Sequence, residues 1–151
     1  MSEYSKFEDV LAKQGTLFYS NTGDSMLPLL RQHRDVMIIK PKPEGRLHRL
    51  DIALYKRDDG TYIIHRVLKV REHDYIICGD NCNWTEIVPE RQIIGVLDSL
   101  VRNGKTIPLR STPEHPHVPL RYKIYEHLWC DIFSIRPYLL YLQHKWRRLT
   151  Q

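Results

Sequence analysis

Asp51-Ile52-Ala53-Leu54-Tyr55-Lys56, the turn Asp58-Asp59-Gly60 and the run Thr61-Tyr62-Ile63-Ile64-His65-Arg66-Val67-Leu68-Lys69-Val70 decide the fold class of this chain. Both apolar runs are short and rich in β-branched and aromatic residues, and a glycine-bearing turn joins them. That pattern predicts a β-hairpin. Working outward, the same grammar recurs. Thr16–Ser20, Asp35–Lys40, Asp74–Cys78 and Gln92–Val101 read as strands, and Pro41, Pro43 and Gly45 break the second of them. Asn103-Gly104 begins one more hairpin, to Lys105–Leu109. Many short strands separated by turn signals predict a mainly β fold, a coiled antiparallel barrel or sandwich.

Helices flank this body. Residues 5–14 place Phe7, Val10 and Leu11 at helical spacing, and Gly15 ends the pattern. Pro113, Pro116 and Pro119 make residues 111–119 a linker, because proline has no N–H to give to a ladder. Residues 120–149 read as helix, broken or kinked at Pro137 into 120–135 and 137–149. The chain therefore divides into a β domain over 1–110, a proline-rich linker over 111–119 and a helical segment over 120–151.

With 151 residues the chain fits one domain with a sizeable core. The net charge is +5, but residues 121–151 hold six basic residues against Glu126 and Asp131, so the body is nearly neutral. This argues against a broad nucleic-acid face. The pI of about 9.2 alone suggests nucleic-acid binding, a reading ranked last. Three cysteines, Cys78, Cys82 and Cys130, form no CxxC pair, so neither a disulfide framework nor a zinc site is expected, and no cofactor. A reducing, cytoplasmic compartment fits that usage. The stretch Met1–Asp9 is charged rather than signal-like, and no run approaches the roughly 18 apolar residues of a membrane span. Two readings of 120–149 stay open. Ile124, Leu128 and Ile135 fall near a helical stripe that would pack on the barrel, while the mix of tyrosine, tryptophan and basic residues suits an anionic membrane surface or a protein partner.

Chemistry concentrates in three places. Gly23-Asp24-Ser25-Met26-Leu27-Pro28 sets one serine between a glycine turn and a proline. His65 lies on a strand face shared with Ile63 and Val67, and by alternation with Lys69. Cys78-Gly79-Asp80-Asn81 is a tight turn carrying one acid. A serine hydroxyl needs a base to become a nucleophile, and imidazole titrates near working pH. Asp80 is the candidate to orient His65 and fix its tautomer. The other seven histidines lack a comparable context and read as surface or structural.

These segments, with Arg34-Asp35-Val36, Leu50–Tyr55, His65-Arg66-Val67 and Ile94-Gly95-Val96, resemble the signal-peptidase-like serine proteases from about Ser20 to Val101. That superfamily also holds the self-cleaving repressor peptidases. A histidine at position 65 resembles the endoplasmic-reticulum-type and sporulation-type branch, whose counterparts in bacterial leader peptidases use lysine. The resemblance implies Ser25 as nucleophile, His65 as general base, Asp80 as acid partner and Glu86 as candidate second acid. It also implies a peptide or leader-bearing protein as substrate, bound as an extended strand with small residues before the cut. Gly23 stands where many relatives have a serine, so the oxyanion hole is expected from backbone N–H groups of Ser25 and Gly23. No N-terminal anchor is read in the sequence, and only 24 residues precede Ser25. Neither a standard secretory signal peptidase nor a self-cleaving repressor is therefore the expectation. The leading reading is a cytoplasmic serine endopeptidase, peripheral to a membrane if 120–149 binds one. The alternative is a non-catalytic peptide-binding module on the same scaffold.

Overall fold

The computed structural model describes residues 6–133, with side chains to Trp129. Helix α1 (Phe7–Gln14) is followed by strands β1 (Leu17–Ser20), β2 (Asp35–Pro41), β3 (Ile52–Lys56), β4 (Tyr62–Val70), β5 (Asp74–Cys78), β6 (Glu86–Pro89), β7 (Ile93–Arg102) and β8 (Lys105–Pro108), then helix α2 (Leu120–Phe133). The eight strands form one antiparallel sheet in the order β1-β2-β7-β3-β4-β5-β6, with β8 also pairing β7. The sheet curls into a half-barrel. The expected break at Pro137 and the second helical piece, 137–149, lie outside the described residues.

Local chemistry explains the elements. Gly15 adopts φ 66°, and its N–H closes α1 on the carbonyl of Leu11. The central hairpin pairs Lys56 with Tyr62. Its turn is held by the Thr61 N–H on Asp59 Oδ1 at 2.8 Å, with Gly60 at φ 87°. Asn103 and Gly104 both take positive φ, as a two-residue hairpin turn between β7 and β8 requires. Strand β6 was not expected. It is four residues long, ends in proline and lies at the sheet edge, so it carries little alternation to read.

Strand β3 is buried on both faces, which is why it reads as an unbroken apolar run. Ile52 and Leu54 join a core that also holds Leu30, Met37, Ile39 and Leu100. Ala53 and Tyr55 join a second core with Val67, Tyr75 and Ile77. Register shifts between Ile38 and Ile39, Leu54 and Tyr55, and Val67 and Lys69 bend the sheet. The last shift corrects the expected alternation. Leu68 is the extra residue, so Lys69 turns out to solvent and leaves His65 as the titratable base on that face.

A buried ion cluster pins β2 to β7. Asp35 accepts from Arg34 Nη2 and Arg102 Nε, each at 2.7 Å, and from the Arg31 N–H at 2.9 Å. Burial pushes the Asp35 carboxyl up, but the bonds from Arg102, Arg34 and Arg31 outweigh it and hold the pKa at about 2. A folded pKa below the unfolded value of about 3.9 stabilises the protein above that value, here by on the order of 2 kcal/mol. This contribution is lost as pH falls from about 4 through about 2. Urea unfolding should show Asp35→Asn less stable than wild type at neutral pH, with the gap closing toward about pH 2. A constant gap would show that the carboxylate charge is not what stabilises.

Candidate active site

Strand β1 delivers the chain to Asn21, whose side-chain amide donates to the carbonyl of Gly23 at 2.6 Å and shapes the approach to Ser25. The Cys78–Cys82 turn then clamps the serine turn. The Asn81 N–H donates to the Ser25 carbonyl at 2.8 Å, and its side-chain amide donates to the Asp24 carbonyl at 3.1 Å. The Asp80 N–H points at the sulfur of Met26, a core residue only 1% exposed. Asn81 thus ties two of the three sequence motifs together through backbone contacts.

Gly79 is where the motifs converge. A Cβ on this residue would fall 2.5 Å from the Ser25 carbonyl oxygen, 2.8 Å from Cys82 Sγ and 3.0 Å from His65 Nε2. The backbone conformation itself does not demand glycine; close approach does. Ser25 and His65 both line a cavity of about 180 Å³, whose walls include Phe7, Tyr19, Leu54 and Tyr62. Helix α1 closes this wall. Phe7 packs on Tyr62 with the rings tilted and their centroids 4.4 Å apart, and Glu8 accepts from the Tyr62 hydroxyl at 2.5 Å and from Lys56 Nζ at 2.9 Å.

His65 is 3% exposed. Burial is the largest influence on its imidazole and lowers its pKa. The nearby charge of Glu86 opposes the shift, Arg57 adds to it and Asp80 opposes it. The net effect keeps the ring neutral at neutral pH, the form that accepts a proton. Its Nδ1 faces the Tyr55 hydroxyl at 3.4 Å and Glu86 Oε1 at 4.0 Å. Tyr55 is fully buried, and burial ahead of the nearby Glu86 carboxylate pushes its phenol well up, so it stays protonated. Arg57 Nε donates to Glu86 Oε2 at 2.9 Å, and Arg57 Nη2 pairs with Oε1.

The acids therefore divide differently from the expected pattern. Arg66 Nε donates to Asp80 Oδ1 at 2.7 Å, and Nη2 to Oδ2 at 2.8 Å. The Tyr125 hydroxyl adds a bond to Oδ2 at 2.8 Å, and Trp129 Nε1 donates to the Asp80 carbonyl at 2.6 Å. Adjacent residues of a strand point to opposite faces. His65 pairs with Ala53 on one face, while Arg66 pairs with Ile52 on the other and engages Asp80 there. Glu86, the expected second acid, lies 4.0 Å from the imidazole and is the leading charge acting on it.

Sequence reasoning missed Tyr55, Arg57, Arg66, Tyr125 and Trp129. Arg66 was visible as the neighbour of His65, whereas Tyr55 looked like one more apolar strand residue. In α2, the face that packs carries Tyr122, Tyr125 and Trp129. Leu120, Ile124 and Leu128 are instead 69%, 49% and 57% exposed. The aromatic face wins because its polar tips satisfy Asp80 while its rings cover apolar surface.

Of the two oxyanion donors expected, the Gly23 N–H is turned toward Asn21 Oδ1 at 3.4 Å, which leaves the Ser25 N–H as the remaining candidate. Among the described residues, no group of three His, Cys, Asp or Glu side chains could hold a metal ion, and no helix is long and apolar enough to cross a membrane. Comparison with family models, curated proteins and solved structures finds no match.

Proposed function

We propose that this protein is a serine endopeptidase of signal-peptidase-like type, cutting a leader- or signal-like segment with Ser25 as nucleophile and His65 as general base. The observation that carries the reading is the shared cavity, which Ser25 and a buried His65 held neutral both line. In the acylation step the Ser25 hydroxyl attacks a peptide carbonyl and its proton passes to His65 Nε2. The tetrahedral intermediate is stabilised by the Ser25 N–H. It expels the amine, which takes the proton back from His65, and leaves an acyl-serine. Water, deprotonated by the same imidazole, releases the acid and restores Ser25. Glu86, together with Tyr55, orients Nδ1 and stabilises the transient imidazolium. Asp80 holds the Gly79–Asn81 turn against the serine and adds a more distant negative charge. The small cavity suits a small side chain beside the cut. Strand β1 ends the sheet and leads into the serine turn, so its outer edge can accept an extended peptide.

A fluorophosphonate probe, followed by intact mass and peptide mapping, tests the assignment. One adduct on Ser25 is expected, together with cleavage of a peptide library, and both are expected to be absent from Ser25→Ala. Peptide binding without adduct or cleavage, at an affinity indifferent to His65→Ala, would instead identify a non-catalytic binding module.

A further inference from the structure

A second, wider cleft of about 730 Å³ opens between the β7–β8 hairpin, the first turn of α2 and Pro28-Leu29. Pro28 follows Ser25 by three residues, so the rim of the cleft lies within about 11 Å of the nucleophile, Cα to Cα. An extended peptide held at Ser25 covers that distance in about four residues.

The charge of this cleft is one-sided. Lys105 on β8 and Arg121 on α2 are exposed, and Arg102 on β7 joins them. Arg102 and Arg34 share the single carboxylate of Asp35, so that cluster keeps one net positive charge. Among the described residues, none of those lining the cleft is acidic. Arg121 lies over the Tyr122 ring at 5.0 Å, and the Tyr122 hydroxyl accepts from Arg102 Nη1 at 3.2 Å, so the aromatic wall holds two of the cations in place. The three cations come from three different elements rather than from one phosphate-cradling loop. That spread suits several carboxylates along a chain better than one compact phosphate.

We propose that this cleft is an exosite for an acidic stretch of a peptide, placed about three to six residues from the scissile bond. Calling the peptide a substrate rests on the peptidase reading; the preference of the cleft for acidic peptide does not.

The test uses the full chain carrying Ser25→Ala, so that bound peptides stay intact. Two fluorescein-labelled peptides are compared by anisotropy, identical except that one carries a run of glutamates and the other glutamines. The glutamate peptide is expected to bind about tenfold more tightly at low ionic strength, with the advantage shrinking as salt rises. Adding Lys105→Glu and Arg121→Glu, both at exposed positions, is expected to remove the advantage and leave the glutamine peptide unaffected. Equal affinities, no binding of either peptide, or an advantage that survives the double reversal would overturn the proposal. Tighter binding of a single-stranded oligonucleotide of equal charge, lost in the double reversal, would overturn it in favour of phosphate. Failure of the peptidase reading is distinguishable: acidic-peptide binding would persist while the wild type gives no Ser25 adduct.

Discussion

His65→Ala is expected to lower the rate of Ser25 acylation by about 10²–10⁴-fold, the usual contribution of a positioned general base. The substitution removes the imidazole at the shared cavity and leaves the serine turn held by Asn81. Acid partners of His65 can be told apart in the same assay. Glu86→Gln removes the nearest charge that raises the pKa of His65, while burial and Arg57 continue to lower it. The acid limb of kcat/KM, already below the ordinary imidazole value of about 6.5, should therefore move to still lower pH, with kcat falling. Asp80→Asn should act chiefly on stability, because its carboxylate engages Arg66 and Tyr125. The opposite pattern, with Asp80→Asn losing kcat at unchanged thermal stability and Glu86→Gln behaving as wild type, would make Asp80 the orienting acid.

Arg66→Ala carries the largest expected cost in stability, about 3–5 kcal/mol. Its guanidinium is fully buried between Asp80 and Glu126, which it meets at 2.7 Å and 3.2 Å. It also donates to the Leu50 carbonyl at 3.1 Å, bracing a residue held at φ 80°, and it approaches the Tyr125 ring at 5.9 Å. Burial pushes the Glu126 carboxyl up, and Arg66 opposes that shift. Without the guanidinium, Asp80 and Glu126 face each other's charge in a dry setting. Total stability of a domain this size is about 5–15 kcal/mol, so a fall in the urea midpoint of about a fifth or more is expected. Adding Asp80→Asn and Glu126→Gln to an Arg66→Met background should recover part of the loss, because no buried charge then remains among the three. A loss under about 1 kcal/mol in Arg66→Ala would show that the cluster does not support the fold.

The sequence by itself determined every strand but β6, the turns and the three chemical motifs. Those features are local. Gly15, Gly60 and Asn103-Gly104 set turns through φ, and apolar residues on β2, β3 and β7 set strands through short-range patterning. The tertiary structure decided which residue meets which. One extra residue at Leu68 removed Lys69 from the face of His65. Strand alternation sent Arg66, which engages Asp80, to the face opposite His65, and short β6 brought Glu86 to within 4.0 Å of Nδ1. Helix α2 turned its aromatic face inward because Asp80, more than forty residues earlier in the chain, needed donors. Spacing along a chain constrains φ, ψ and period, which act over a few residues. The pairing of a base with an acid depends on sheet register, bulges and curl, which only the assembled sheet specifies.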